Sequence, residues 1–235
     1  MQLSDIDYEL PERLIAQTPI EPRDSARLLV DHGSAAAHDA VMRDFPSLLQ
    51  EGDVMVVNDT RVLPARLHLV RATGGAVEVL LLESLDASHH AWEALIRPGR
   101  KMKPGEVLHD RNGVAVLTVH GRGTQGDTFR VEFAMAEADP VIDQLGEMPL
   151  PPYITQRLSD ASRYQTVYAQ TAKSAAAPTA GLHFTPELLA QVRAVGVPIV
   201  SVELVVGLDT FAPVTVDDPT QHVIHSESYH VPGET

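Results

Sequence analysis

Val114-Ala115-Val116-Leu117-Thr118-Val119-His120-Gly121-Arg122-Gly123 reads as one β-strand running into a tight turn. Aliphatic and β-branched residues fill it, and the closing glycines permit the positive φ that short hairpin connections demand. The pattern recurs on both sides. Between Arg61 and Ala134 the runs Val62 to Val70, Ala76 to Glu83, Ala91 to Arg97, Glu106 to His109, Val114 to His120 and Thr128 to Phe133 are separated by turn residues, among them Gly74-Gly75 and Asn112-Gly113. Six strands at this spacing predict a small antiparallel barrel.

The flanks read differently. Upstream, Phe45 to Gln50 suggests a short helix ending at Gly52, followed by a buried strand, Val54 to Val57. Downstream, Thr185 is an N-cap with Pro186 at the first helical position, Leu188, Leu189, Val192 and Val195 fall on one face, and Gly196 lies just past the end. A nearly continuous apolar strand, Ile199 to Val206, follows. Strands apolar on both faces, alternating with helices, predict an α/β layer with parallel pairing. The fold class expected is therefore a mixed α/β domain with an inserted small antiparallel six-stranded β-barrel. Residues 1–60 and 148–235 would form the discontinuous α/β domain and residues 61–147 the barrel, with the stiff Met148-Pro149-Leu150-Pro151-Pro152-Tyr153-Ile154 segment returning from it.

Composition narrows the chemistry. In 235 residues, 18 Lys and Arg face 32 Asp and Glu for a net charge of −14, and 44% apolar content at 21% charged is enough to fill a core. The absence of cysteine excludes disulfides, thiolate metal sites and a cysteine nucleophile. The longest apolar stretch, Val195 to Leu208, is broken by Gly196, Pro198, Ser201 and Glu203, short of the roughly 18–20 residues that a bilayer crossing needs. The start, Met1-Gln2-Leu3-Ser4-Asp5, has no basic region followed by an apolar one, so a cytoplasmic protein with no membrane partner is expected. The acidic balance counts against nucleic acid, whose affinity for proteins comes chiefly from Lys and Arg.

Four segments carry the candidate chemistry. Asn58-Asp59-Thr60-Arg61 ends the first buried strand, where open α/β sheets place ligand groups; Asp59 can accept hydrogen bonds and Arg61 can clamp an anion, although the same residues also make an ordinary turn. Arg97-Pro98-Gly99-Arg100-Lys101-Met102-Lys103 sets four cations in seven residues, either to hold phosphates or to keep strand edges apart. It contains no aromatic residue to stack a base, so it would position a backbone rather than read sequence. Ala177-Pro178-Thr179-Ala180-Gly181-Leu182-His183-Phe184 runs into the second helix; its backbone N–H groups can meet a carboxylate or sugar oxygen, and His183 can exchange protons, or else is a structural histidine. His222-Val223-Ile224-His225-Ser226-Glu227-Ser228-Tyr229-His230 matches no zinc spacing, so no metal site is expected; His225 and Glu227 serve catalysis, ligand binding or simple edge polarity. No Walker or dinucleotide fingerprint is present, which argues against the usual ATP or NAD chemistry.

Taken together, Asn58 to Leu67, Arg97 to Lys101, Met148 to Ile154, Arg163-Tyr164-Gln165-Thr166-Val167-Tyr168-Ala169, Ala176 to Thr185 and His225-Ser226-Glu227 follow one another at the separations found in a single family. The sequence resembles the S-adenosylmethionine:tRNA ribosyltransferase-isomerases of queuosine biosynthesis. The resemblance includes Asp5 to Pro19 and Pro22-Arg23-Asp24-Ser25-Ala26-Arg27-Leu28. It implies transfer of the ribosyl part of S-adenosylmethionine to 7-aminomethyl-7-deazaguanine at the tRNA wobble position, its isomerisation to an epoxycyclopentanediol, and release of adenine and methionine. S-adenosylmethionine is then a co-substrate, no recycled cofactor is implied, tRNA carrying the modified base is the partner, and a monomer is expected.

The resemblance implies His183 or His225 as the base beside the sulfonium, with Asp59 or Glu227 on ribose hydroxyls or orienting a histidine. The Pro178, Thr179, Ala180, Gly181 and Phe184 turn would hold methionine or ribose. Asn58, Thr60, Arg61 and Ser226 complete the substrate set, and Arg97, Arg100 and Lys101 would face tRNA. Two departures stand out. Val205 and Asp209 occupy positions where the family usually carries His and Gly, and family chains continue past His225-Ser226-Glu227 with further α/β elements, whereas this sequence ends at Thr235. A non-catalytic or truncated tRNA-binding relative of that enzyme is the alternative reading.

Overall fold

A computed structural model describes residues 2–123, 127–207, 214, 216–222 and 227–235. It divides into two units, Met1–Arg61 with Leu150–Thr235, and Val62–Pro149.

The first unit opens with an antiparallel pair, Arg27–Val30 (β1) and His38–Val41 (β2), in register from Arg27 opposite Val41 to Val30 opposite His38. The expected helix near Phe45 is a 3-10 turn, Met42–Leu48, because Pro46 lies inside it and cannot donate the hydrogen bond that an α-helix would require. Met55–Asn58 (β3) and the short Thr60–Val62 (β4) follow, and β4 runs to the first residue of the second unit.

The second unit is a closed barrel. Its strands are Arg66–Arg71 (β5), Ala76–Ser84 (β6), Ala91–Arg97 (β7), Glu106–His109 (β8), Ala115–Arg122 (β9) and Phe129–Phe133 (β10). They are joined antiparallel in the order β5-β6-β7-β10-β9-β8, and β8 returns to β5 through Val70 opposite His109. Alternate residues point inward, so Leu67, Leu81, Leu108, Leu117, Val119 and Val131 are fully buried. The first strand begins at Arg66 rather than Val62. Pro64 lacks the N–H a ladder needs, and Ala65 N–H folds back onto the Leu63 carbonyl at 2.7 Å. After the barrel, helix α1 (Asp139–Leu145) leads into Gly146–Glu147 (β11), which pairs with β5 through Gly146 opposite Leu67.

Between β6 and β7 the chain turns about one carboxylate. Asp86 accepts hydrogen bonds from Ser88 Oγ at 2.6 Å, Ala91 N–H at 2.7 Å, Ser88 N–H at 2.9 Å and His90 N–H at 3.1 Å. The Ser88 hydroxyl and then the backbone N–H groups hold this carboxyl far below the usual carboxylate range. A group whose pKa falls on folding stabilises the native state above its unfolded pKa and loses that contribution as pH falls through the folded one. Asp86→Asn should therefore lower the barrel's melting temperature at pH 7, and the gap to wild type should narrow once pH drops below about 4. An unchanged gap at low pH would show that the charge contributes nothing.

Back in the first unit, Thr171–Ser174 (β12), helix α2 (Pro186–Ala194), Ile199–Val205 (β13) and Ser228–His230 (β14) complete the fold. Thr185 caps α2, its hydroxyl accepting Leu188 N–H at 3.1 Å. β13 lies parallel to β3, from Ile199 opposite Met55 to Val202 opposite Asn58, and antiparallel to β14. The mixed α/β reading holds, with two corrections. Val57 is buried at 7% exposure but Val56 is 58% exposed, so β3 is covered on one face only. The covering layer is α2 and the 3-10 turn: Met42, Phe184, Leu188 and Leu189 form a core against which Phe45, Met55 and Ile199 pack. Val195 is exposed because α2 ends one residue before it. No helix among the described residues is long and apolar enough to cross a membrane.

Candidate functional site

The carboxyl ends of the parallel strands gather the first unit's polar groups. The Asn58 amide donates to the Leu204 carbonyl at 2.9 Å, and its oxygen accepts Leu204 N–H at 3.1 Å, Thr60 N–H at 3.1 Å and the Thr60 hydroxyl at 3.0 Å. Thr60 is 1% exposed and its hydroxyl also reaches the Leu204 carbonyl. Both side chains thus face backbone and extend the β3–β13 ladder by one step. Asp59 projects differently. Its carbonyl accepts Gln170 N–H at 2.7 Å and its carboxylate accepts the Gln170 amide at 3.2 Å, while Arg61 is exposed.

At the end of β13, Ser174 is a buried node. Its hydroxyl donates to Ala176 O at 2.9 Å and accepts Val206 N–H at 3.0 Å, and Ala175 N–H reaches Val206 O at 3.0 Å. One residue on, Gly207 N–H donates to Glu227 at 3.1 Å. Ser174, Asp59, Asn58 and Glu227 are therefore tied to one strand-end region. Val205, a family departure, sits in β13 opposite Ser228. Asp209, His225 and Ser226 lie outside the described residues.

The Pro178 to Phe184 segment forms a 3-10 turn, Thr179–His183, with Thr179 and Ala180 exposed, Pro178 and His183 half-buried, and Gly181 and Phe184 buried. Phe184 anchors it edge-on against Phe45, ring centroids 5.6 Å apart. Arg23 clamps its other side. That guanidinium donates to Gln165 O at 2.6 Å, Ser162 O at 2.7 Å and Leu182 O at 3.3 Å, binding the residue next to His183 to the Arg163–Tyr168 segment. Burial first, and then nearby Arg163, lower the Arg23 pKa. Gln17 similarly brackets the proline-rich return, donating to Tyr153 O at 3.0 Å and accepting Thr155 N–H at 2.9 Å. Arg23, Gln17, Gln170 and Ser174 were not singled out by spacing, because each bonds to segments distant in the chain.

In the barrel unit the basic loop is built rather than loose. Arg71 pairs with Glu106 at 2.6 and 3.0 Å and also donates to Lys101 O at 3.2 Å, while Lys103 N–H meets Glu106 at 3.3 Å. The Arg71 hydrogen bond is the main reason that the Glu106 carboxyl is held below its ordinary value. Gly99 packs on the Phe129 ring, where a Cβ would come within 3.0 Å, and the Arg122 guanidinium lies over the same ring at 4.4 Å from its centroid. Arg97, Arg100, Lys101 and Lys103 are exposed and form no ion pair among the described residues. Their strands are paired on both sides, so no free edge exists there for the charges to protect. Among the described residues no group of three or more His, Asp or Glu could hold a metal ion.

The fold and site define an α/β protein with an inserted barrel, its polar groups collected at the carboxyl ends of two parallel strands and a separate cationic loop on the barrel. Residues 3–235 match the family model described as queuosine biosynthesis protein, and the chain belongs to that family. It is 52% identical over 236 residues to the S-adenosylmethionine:tRNA ribosyltransferase-isomerase of Symbiobacterium thermophilum, covering 100% of this chain and 69% of that protein. It is 48% identical to the enzyme of the same name from Desulfitobacterium hafniense, covering 98% of this chain and 68% of that one. The solved S-adenosylmethionine tRNA ribosyltransferase of Thermotoga maritima is 33% identical, with a TM-score of 0.35 over 87% of this chain and 59% of that one.

Proposed function

We infer that the protein is an S-adenosylmethionine:tRNA ribosyltransferase-isomerase. It transfers and isomerises the ribosyl moiety of S-adenosylmethionine onto 7-aminomethyl-7-deazaguanine at the tRNA wobble position, giving epoxyqueuosine and releasing adenine and methionine. The observation that carries this reading is 52% identity across the whole chain to an enzyme of that name. S-adenosylmethionine is consumed as a co-substrate, and the protein works as a cytoplasmic monomer.

The residues support a division of labour. His183 or His225 takes the proton beside the sulfonium, and Asp59 or Glu227 binds ribose hydroxyls or orients the imidazole. The Pro178–Phe184 turn, with Thr179, Ala180 and Gly181, seats the methionine or ribose, and Arg61 and Ser226 contribute further contacts. Asn58 and Thr60 serve the site by fixing the strand ends that carry Asp59. A rigid cradle of this kind keeps water from the reactive sugar. Arg97, Arg100 and Lys101 bind tRNA phosphates, which reconciles a net charge of −14 with a nucleic-acid partner by concentrating cations locally.

Labelled S-adenosylmethionine incubated with tRNA carrying the precursor base should release adenine and methionine and leave label on the base. Salt-sensitive tRNA binding without adenine release would overturn the enzyme reading. Within the same assay, the Arg100→Glu, Lys101→Glu double variant should weaken tRNA binding and reduce its log–log salt slope by about 1 per lost phosphate contact. S-adenosylmethionine binding should be spared; equal loss of both would place these cations elsewhere.

A further inference from the structure

The Arg163–Tyr168 segment has no part in the roles above, yet the Tyr168 hydroxyl and the Thr166 methyl both meet the Thr179–His183 turn at Gly181. The Tyr168 ring packs against the core of Phe184, Leu188, Met42 and Ala26, which fixes where its tip can point. That tip lies against Gly181: a Cβ built there would overlap the Tyr168 hydroxyl oxygen and come within 2.9 Å of Thr166 Cγ2. The glycine is thus the gap through which both side chains approach the turn. Tyr168 makes no hydrogen bond among the described residues, and Thr166, only 6% exposed, has a buried Oγ1 with no partner among them. Buried hydroxyls are almost always satisfied, because leaving one unpaired costs about 1–3 kcal/mol. Burial also pushes the Tyr168 phenol up to about 12, so it remains a protonated donor at neutral pH.

We propose that Tyr168 is a substrate-binding residue whose hydroxyl donates a hydrogen bond to an oxygen of S-adenosylmethionine seated on the Thr179–His183 turn. The proposal rests on the S-adenosylmethionine reading given above. The acceptor is either the carboxylate of the methionine part or a ribose hydroxyl, and one pair of ligands separates them. 5′-Deoxy-5′-methylthioadenosine keeps the ribose and lacks the carboxylate.

Calorimetric titration of wild type and Tyr168→Phe with each ligand, alongside their melting temperatures, tests it. The variant keeps the ring and so its packing, and its melting temperature should match wild type. Its affinity for S-adenosylmethionine should fall on the order of tenfold, as expected for one lost hydrogen bond. A matching loss for methylthioadenosine assigns the contact to ribose, and unchanged methylthioadenosine affinity assigns it to the carboxylate. Wild-type affinity for both ligands, or a loss that tracks a lowered melting temperature, overturns the proposal. Failure of the wild-type protein to bind S-adenosylmethionine removes the underlying functional reading and this contact with it.

Discussion

His183→Ala should slow single-turnover methionine release on the order of 10²–10⁴-fold, the range that a positioned proton-transfer group supplies. Geometry is the reason to expect so much from one imidazole. His183 closes a turn that is fixed at three points: Phe184 is seated in the core, Gly181 lies on Tyr168, and the Leu182 carbonyl is held by Arg23. A half-buried side chain on such a turn has little freedom of position, which is what proton transfer to a bound substrate requires. S-adenosylmethionine affinity should change far less than the rate, because the imidazole is invoked for the step and not for the cradle. His225→Ala belongs beside it in the experiment. Wild-type rates in both variants would eliminate a histidine base and shift attention to Asp59 and Glu227.

The second large effect concerns the barrel. Gly146→Ala should lower the melting temperature of this unit by roughly 10–20 °C, the equivalent of about 2–3 kcal/mol in a domain of this size. Gly146 has φ −78° and ψ 147°, a conformation open to any residue, so backbone freedom is not what requires glycine. Space is. A Cβ there would overlap the Pro64 carbonyl oxygen, lie 2.5 Å from Ile142 O and 2.9 Å from the Pro64 carbonyl carbon. All three are main-chain atoms, and none can rotate aside as a flexible side-chain end would. Accommodation means breaking the β11–β5 pair or shifting α1, whose Ile142 is fully buried. A melting temperature within 2 °C of wild type, as an order-of-magnitude threshold for no effect, would show that the backbone yields easily.

The barrel was legible because a period of two with glycine turns is a local signal, and each strand carries it independently. It slipped at the start of the first strand, a run of apolar residues in which Pro64 cannot join a ladder, and at Gly121-Arg122, which continue β9 opposite Arg130 and Phe129 instead of turning. The covering of β3 was not legible. Val54, Val56 and Val57 read as a strand buried twice over, since apolar residues report affinity for a neighbour without saying that one exists on each side. The candidate site divides along the same line. Asp59 and the Gly181–His183 turn stood out as polar or glycine residues at element ends, where spacing has meaning. Arg23, Gln170 and Ser174 did not, because their partners are carbonyls and amides contributed by segments far along the chain. The contact of Tyr168 with Gly181 is equally silent in sequence, being a match of shape.

The pairing of β11 with β5 bears on the order in which the molecule assembles. Asn58 meets Leu204 across 146 residues of chain, and until that contact forms β3 has no parallel partner. Pro64 and Gly146, at the two ends of the inserted unit, are in main-chain contact once the barrel is made. A barrel that folds first therefore acts as a pinch, drawing together residues that the unfolded chain would leave far apart. Each halving of the loop left to close relieves about 0.6 kcal/mol of entropy cost. During synthesis the early segment would wait until β13 emerges, exposing β3 as an unpaired edge in the interval. The insertion that interrupts the α/β unit in sequence thus helps its two halves find each other.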